Sequence, residues 1–78
     1  MTMTLEEYFK KYGVDYSKPG NLVRDLRFGH QLTQAQLAKK LSILQTHVSE
    51  IEHNKRPIGK ALAKKMAKVF NTDYRMFL

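Results

Sequence analysis

Two short helical segments that follow one another between residues 33 and 53 restrict the fold of this chain more than any other feature. Residues 33–36 read Thr-Gln-Ala-Gln, which is the form of a capping box. In it the Thr33 hydroxyl accepts from the Gln36 amide, while the Gln36 side chain reaches back to the Thr33 amide. Apolar residues at helical spacing continue to Leu41. The sequence therefore predicts a short helix with a sharply defined start.

The segment from Gln45 to His53 predicts a second short helix with two unlike sides. Val48 and Ile51 project to one side, and Leu44, just before the helix, is expected on that side too. The opposite side is polar and short-chained, and it carries Thr46, Ser49, Glu50 and His53. Reading of the DNA major groove requires this arrangement, because the groove admits one helix and that helix needs a brace behind it.

The N-terminal part of the chain differs from the rest. Residues 4–7, Thr-Leu-Glu-Glu, again have the form of a capping box and predict a short leading helix. Residues 14–20 contain Ser, Pro and Gly, which favour turns, so a connector is expected there. We therefore divide the chain into an N-terminal helical arm with its connector, residues 1–20, and a helical body, residues 21–78.

Further helix signals lie on both sides of the central pair. One helix is expected from a cap at Asn21 to about Phe28. An apolar stripe over 58–70 predicts another, and a last turn is expected over 74–78. No segment predicts a strand. The fold class is therefore all-α, with five helical segments and the last turn.

The charge distribution suits a polyanionic partner. The net charge is +7, and residues 1–20 contribute none of it, whereas 21–56 carry +3 and 57–78 carry +4. Neutralising phosphates releases counterions and drives association. A merely solvated basic surface explains the same charge equally well at this point.

Other classes of function find little support in the residues. The chain has no cysteine, an acidic N-terminus and no run near the roughly 20 apolar residues that span a bilayer. We therefore expect a cytoplasmic protein with no membrane partner. His47 and His53 are six residues apart, which does not place two ligands on one helical face, so no metal or other cofactor is expected. No nucleophile, base and orienting group recur at recognisable spacing, so no enzymatic activity is expected.

Several motifs agree at fixed spacing across three helices. They are Leu-Thr-Gln-Ala-Gln-Leu-Ala at 32–38, Ile43, Val-Ser-Glu-Ile-Glu at 48–52 and Lys-Arg-Pro at 55–57. In these the chain resembles the Cro/repressor-type, or XRE-like, helix-turn-helix family over roughly residues 21–70. The resemblance implies a five-helix, lambda-repressor-like helix-turn-helix domain that binds double-stranded DNA, here with an extra short N-terminal helix.

The resemblance also implies roles for individual side chains. Base edges would be read from the second helix of the pair by Gln45, Thr46 and Ser49, with His47 and Glu50 at the margins. Phosphates would be held at the start of the first helix and in the loop after the second, by Thr33, Gln34, Asn54, Lys55 and Arg56. Arg27 and Glu52 match a structural ion pair.

The turn between the two helices departs from the family pattern. Ser42 stands where Gly is usual and would be strained at positive φ. Leu44 stands where a capping Ser or Thr is usual. Residues 42–45 could instead form a capping box that starts the second helix two residues early. The identity of the groove-facing residues depends on this turn.

The function implied is that of a transcriptional repressor, a homodimer that reads operator half-sites about 34 Å apart. The dimer surface is open between the leading helix and the apolar tail, Tyr74, Met76, Phe77 and Leu78. The loop at 56–58 and the helix after it also resemble antitoxins of the HigA type, which neutralise a partner toxin and repress their own operon. A nucleic-acid-associated protein without sequence preference is a third alternative.

Overall fold

The computed structural model describes Lys11 and residues 17–78 of the chain. It contains α1 (Pro19–Gly29), α2 (Gln34–Leu41), α3 (Gln45–Glu52), α4 (Lys60–Phe70) and a 3-10 turn (Tyr74–Phe77). No strand occurs among these described residues, and for them the predicted all-α fold is confirmed. The predicted leading helix lies outside the described residues apart from Lys11.

The core lies between the four helices. α3 packs against both α1 and α2, while α4 contacts α2 and the 3-10 turn. The buried apolar side chains come from every element, and they are Leu22, Val23, Leu37, Ala38, Leu41, Val48, Ile51, Ala63, Met66, Phe70 and Phe77. Because α3 is covered from two sides, its orientation is set by the rest of the molecule.

The first helix begins earlier than the sequence predicts. The prediction that Asn21 caps α1 is wrong, because Lys18 is the N-cap and Pro19 lies in the first turn. Proline is favoured there, since its missing N–H would have had no partner in the helix and its fixed φ suits the helical backbone. Pro19 and Gly20, assigned to the connector, therefore start a helix instead of breaking one.

The turn between α2 and α3 settles where the second helix of the pair starts. The capping box of α2 is present, with Thr33 Oγ1 accepting from the Gln36 amide at 3.1 Å and Gln36 Oε1 accepting from the Thr33 amide at 2.8 Å. Ser42 ends α2 in the left-handed conformation, with φ of 58°. The alternative capping box starting at Ser42 is therefore wrong, and α3 begins at Gln45.

The C-terminal turn closes the core. Phe77 is 1% exposed, and its ring lies 6.4 Å from that of Phe70. Asp73 caps this turn by accepting from the Arg75 amide, and hydrogen bonds from Arg75 lower the pKa of Asp73 to about 2. Most of the apolar tail is therefore not available as a dimer surface, because Phe77 is buried and Tyr74 and Met76 pack against the core.

Candidate nucleic-acid interface

The two sides of α3 differ as the sequence predicts. Val48, Ile51 and Glu52 are buried, whereas Gln45 and Thr46 are exposed. His47, Ser49 and Glu50 are half-buried, at the edges of the exposed side. The first turn of α3 therefore presents polar side chains that can donate and accept hydrogen bonds, while Ile51 and Glu52 at its end are held in the core.

Leu44 does not lie where the sequence predicts. It does not join Val48 and Ile51 on the buried side, because its side chain is 65% exposed. Leu44 is the N-cap of α3, and its backbone is extended, with φ of −76° and ψ of 148°. The angular spacing of a helix does not apply to an extended residue, so the helical wheel gives the wrong side.

A buried ion pair fixes the end of α3 to α1. Arg27 Nε lies 2.6 Å from Glu52 Oε2, and Arg27 Nη2 donates to Glu52 Oε1 at 3.1 Å. The remaining guanidinium nitrogen, Nη1, donates to the carbonyl of Leu32 at 2.9 Å. Arg27 is 7% exposed and Glu52 1%. The two residues thus form a bidentate pair that also holds the chain just before α2.

Gln34 extends this buried network in a way that sequence reasoning missed. Its Nε2 donates to Glu52 Oε1 at 3.1 Å, and the side chain is half-buried at the first position of α2. The side chain predicted to hold a phosphate therefore also ties α2 to the last residue of α3. Only the helix-start position of Gln34 signals a special role in the sequence.

The loop after α3 is tied to the start of α1. Asn54 has φ of 59°, and its Oδ1 accepts from the Gly20 amide at 2.9 Å while its Nδ2 donates to Asn21 Oδ1 at 3.2 Å. A side chain at Gly20 would overlap the carbonyl oxygen of Ile51. Asparagine is one of the residues that tolerate the left-handed conformation at a helix end. The contacts of Asn54 with α1 join residues 34 and 33 positions apart and cannot be read from the local sequence.

Glu50, predicted at the margin of the base-reading surface, and Arg56, predicted to hold a phosphate, lie beside each other in the structure. Arg56 Nη2 is 3.6 Å from Glu50 Oε1, and the two side chains are 42% and 43% exposed. At that distance and exposure the pair is weak. Lys55 is exposed, and its backbone amide donates to the Glu50 carbonyl at 2.8 Å. A backbone hydrogen bond therefore joins the loop to the last turn of α3.

Within residues 17–78 and Lys11, no group of three or more His, Asp or Glu side chains could hold a metal ion. A helix long and apolar enough to cross a bilayer is likewise missing from this described part.

A short bracing helix, a left-handed turn at Ser42 and a second helix with a buried back and a polar front define the helix-turn-helix fold. The helix-turn-helix family HTH_3 matches residues 23–77, and the chain belongs to this family.

Named relatives agree with this assignment. The chain is 36% identical over 58 residues to the HTH-type transcriptional regulator RamB of Mycobacterium tuberculosis; the match covers 74% of this chain and 12% of that regulator's length. The crystal structure of the restriction-modification controller protein C.AhdI from Aeromonas hydrophila matches with a TM-score of 0.71 and 25% identity, over 82% of this chain and 97% of the controller. An HTH_3 family transcriptional regulator from Vibrio cholerae shares the fold, with a TM-score of 0.68 and 19% identity over 80% of this chain and 35% of that chain.

Proposed function

We propose that this chain binds duplex DNA sequence-specifically, with α3 in the major groove, and that it regulates transcription as a repressor. The observation that carries the proposal is the contrast within α3. Its first turn exposes Gln45 and Thr46, while its last residue, Glu52, is held by the buried ion pair. A reading helix needs both properties, because side chains must reach base edges from a backbone in a fixed position.

Gln45, Thr46 and Ser49 are the proposed base readers. The Gln45 amide offers a donor and an acceptor and is exposed, so it can pair bidentately with an adenine. His47 and Glu50 lie at the margins. Glu50 repels phosphates but can accept from a cytosine amino group, and its pairing with Arg56 offsets part of its charge.

The proposed phosphate contacts lie at the two ends of the pair of helices. Thr33 and Gln34 stand at the start of α2, where backbone amides favour an anion. Asn54, Lys55 and Arg56 are exposed in the loop after α3, and they supply amides and two cations. These contacts set the affinity for any duplex, since phosphates carry no sequence information.

The test starts from duplexes that the wild-type protein enriches from a random pool. Affinity for an enriched and an unrelated duplex is then measured over a salt series. Gln45→Ala is expected to reduce discrimination between the two duplexes by about tenfold, since a bidentate base contact contributes about 1–3 kcal/mol. Arg56→Ala is expected to weaken both duplexes alike and to flatten the salt slope by about one unit.

Lys68→Ala is the matched control, because it removes one exposed positive charge from α4, outside the proposed surface. It is expected to leave discrimination unchanged and to alter the salt slope less than Arg56→Ala. Equal weakening of every duplex by Gln45→Ala contradicts its role as a base reader. Failure to enrich any duplex over random competitor contradicts sequence-specific binding altogether.

The homodimer and the repressor activity belong to the same proposal. Half-sites about 34 Å apart in the enriched duplexes would support a two-fold dimer, and sedimentation of the complex gives its stoichiometry. A reporter gene placed behind an enriched site should be silenced by the protein. Two of the relatives named above are transcriptional regulators and one is a controller protein, which supports a role in regulation. We place the repressor first and the antitoxin second. Co-purification of a small protein partner whose expression inhibits growth would reverse that preference.

A further inference from the structure

Leu44 is unusual for its position in two respects, its lack of a capping hydrogen bond and its exposed side chain. It occupies the N-cap of α3 and makes no capping hydrogen bond, although Ser, Thr, Asp or Asn at this position would accept from a free amide. It is also 65% exposed, more than any other large apolar side chain in the described part of the chain. Neither packing among the described residues nor capping accounts for a leucine here, and residues that depart from local preferences are often functional.

The position of Leu44 relates it to the proposed reading surface. It directly precedes Gln45, at the end of α3 that carries the exposed polar side chains, and the N-terminal residues of such a helix contact base edges. Its backbone is fixed, because its carbonyl accepts from the amides of His47 at 3.0 Å and Val48 at 3.3 Å. The exposed side chain is thus held on an ordered backbone.

The chemistry of leucine limits what it can recognise there. A leucine side chain makes no hydrogen bond with a phosphate or with the polar groups of a base edge. The major groove offers one apolar group, the C5-methyl of thymine. We propose that Leu44 is a specificity-determining residue that contacts a thymine methyl group beside the bases read by Gln45 and Thr46. The inference rests on the proposed function.

The experiment removes that methyl group and nothing else. In a duplex enriched by the wild-type protein from a random pool, each thymine is replaced in turn by deoxyuridine. We expect at least one position at which the replacement weakens wild-type binding about fourfold, the effect of one buried methyl. Leu44→Ala is expected to bind the thymine and deoxyuridine duplexes at that position equally.

Leu44→Ser is the matched second variant, because serine can cap α3 and so keeps the helix start intact. It should melt no lower than the wild-type protein, retain the preference that depends on Gln45, and lose the sensitivity to the methyl group. Equal methyl sensitivity in wild type and both variants overturns the inference, as does insensitivity of the wild type at every thymine.

Two further outcomes separate this inference from the proposed function. If duplexes are enriched but Leu44→Ala alters only the association state of the protein, Leu44 is a protein contact, and the inference falls while the proposed function stands. If no duplex is enriched over random competitor, the proposed function and the inference fall together.

Discussion

Glu52 has the most demanding environment of any single residue described. Its carboxylate is 1% exposed, and it accepts two hydrogen bonds from Arg27 and one from Gln34. Removing a charge from water costs several kcal/mol, and only a partner with good geometry offsets that cost. The pair therefore specifies how α1, α2 and α3 meet, and it contributes less net stability than its short distances suggest.

We predict that Arg27→Met lowers the free energy of unfolding by about 3 kcal/mol, because it leaves the Glu52 carboxylate buried without a cation. The double variant Arg27→Met, Glu52→Leu should recover most of the loss, since it replaces both charges with apolar groups of similar size. Urea unfolding of the two variants and the wild type measures both effects. A loss below about 0.5 kcal/mol in the single variant would show that the pair is not structural.

Some of these side-chain contacts could be predicted from the sequence and others could not. Arg27 and Glu52 could be named from the family pattern, and the capping role of Thr33 from its spacing of three residues to Gln36. The contact of Gln34 with Glu52 could not, because it depends on how two helices pack. The exposed side chain of Leu44 was missed because an N-cap residue is extended and does not follow helical spacing.

Among the elements, α1 and the end of α3 meet with their backbones close together at Gly20. Gly20 lies in the first turn of α1, under the carbonyl oxygen of Ile51, and its amide donates to Asn54. A glycine inside a helix ordinarily lowers stability relative to alanine. Here the missing side chain allows the two backbones to approach, so the usual preference is reversed.

The matched pair Gly20→Ala and Gly29→Ala tests this junction with one chemical change at both ends of α1. Gly20→Ala should lower the free energy of unfolding by at least about 2 kcal/mol, because its methyl group overlaps backbone and forces the helices apart. Gly29→Ala should be neutral or stabilising by up to about 1 kcal/mol, since no atom outside the neighbouring backbone of its own helix lies within 4 Å of the added carbon. Thermal unfolding compares them, and equal effects would contradict the close approach.

The sequence predicted the positions of the two central helices better than it predicted the start of α1. α2 lies where its capping box and apolar spacing place it, and α3 lies where its apolar spacing places it, because these signals are local. The start of α1 was predicted wrongly, since a proline that breaks a helix interior is favoured in a first turn, and local sequence does not separate the two cases.

Across the whole molecule, the C-terminal turn completes the core. Phe77 is buried against Phe70, whereas the next residue, Leu78, is 60% exposed. A domain of this size has roughly 5–10 kcal/mol of stability, so one large aromatic side chain is a substantial part of it. The turn is therefore needed for the fold of the monomer, whatever the state of association.

Phe77→Ala is expected to lower the free energy of unfolding by about 3–5 kcal/mol through loss of buried area and the cavity left behind. Its neighbour supplies the control, because Leu78→Ala should change stability by no more than about 0.5 kcal/mol. Urea midpoints at several protein concentrations separate loss of the core from loss of a dimer. A loss below about 1 kcal/mol for Phe77→Ala would show that the turn does not close the core.

The three links that hold the end of α3, from Arg27, Gln34 and Asn54, have a consequence for the thermodynamics of recognition. With its last turn fixed to two other helices, α3 keeps one orientation before DNA arrives. Association then costs little conformational entropy for the backbone, and only the side chains of the first turn become ordered. The free and bound forms of the domain should superimpose closely, and differences in affinity among sites should reflect the bases and the shape of the duplex.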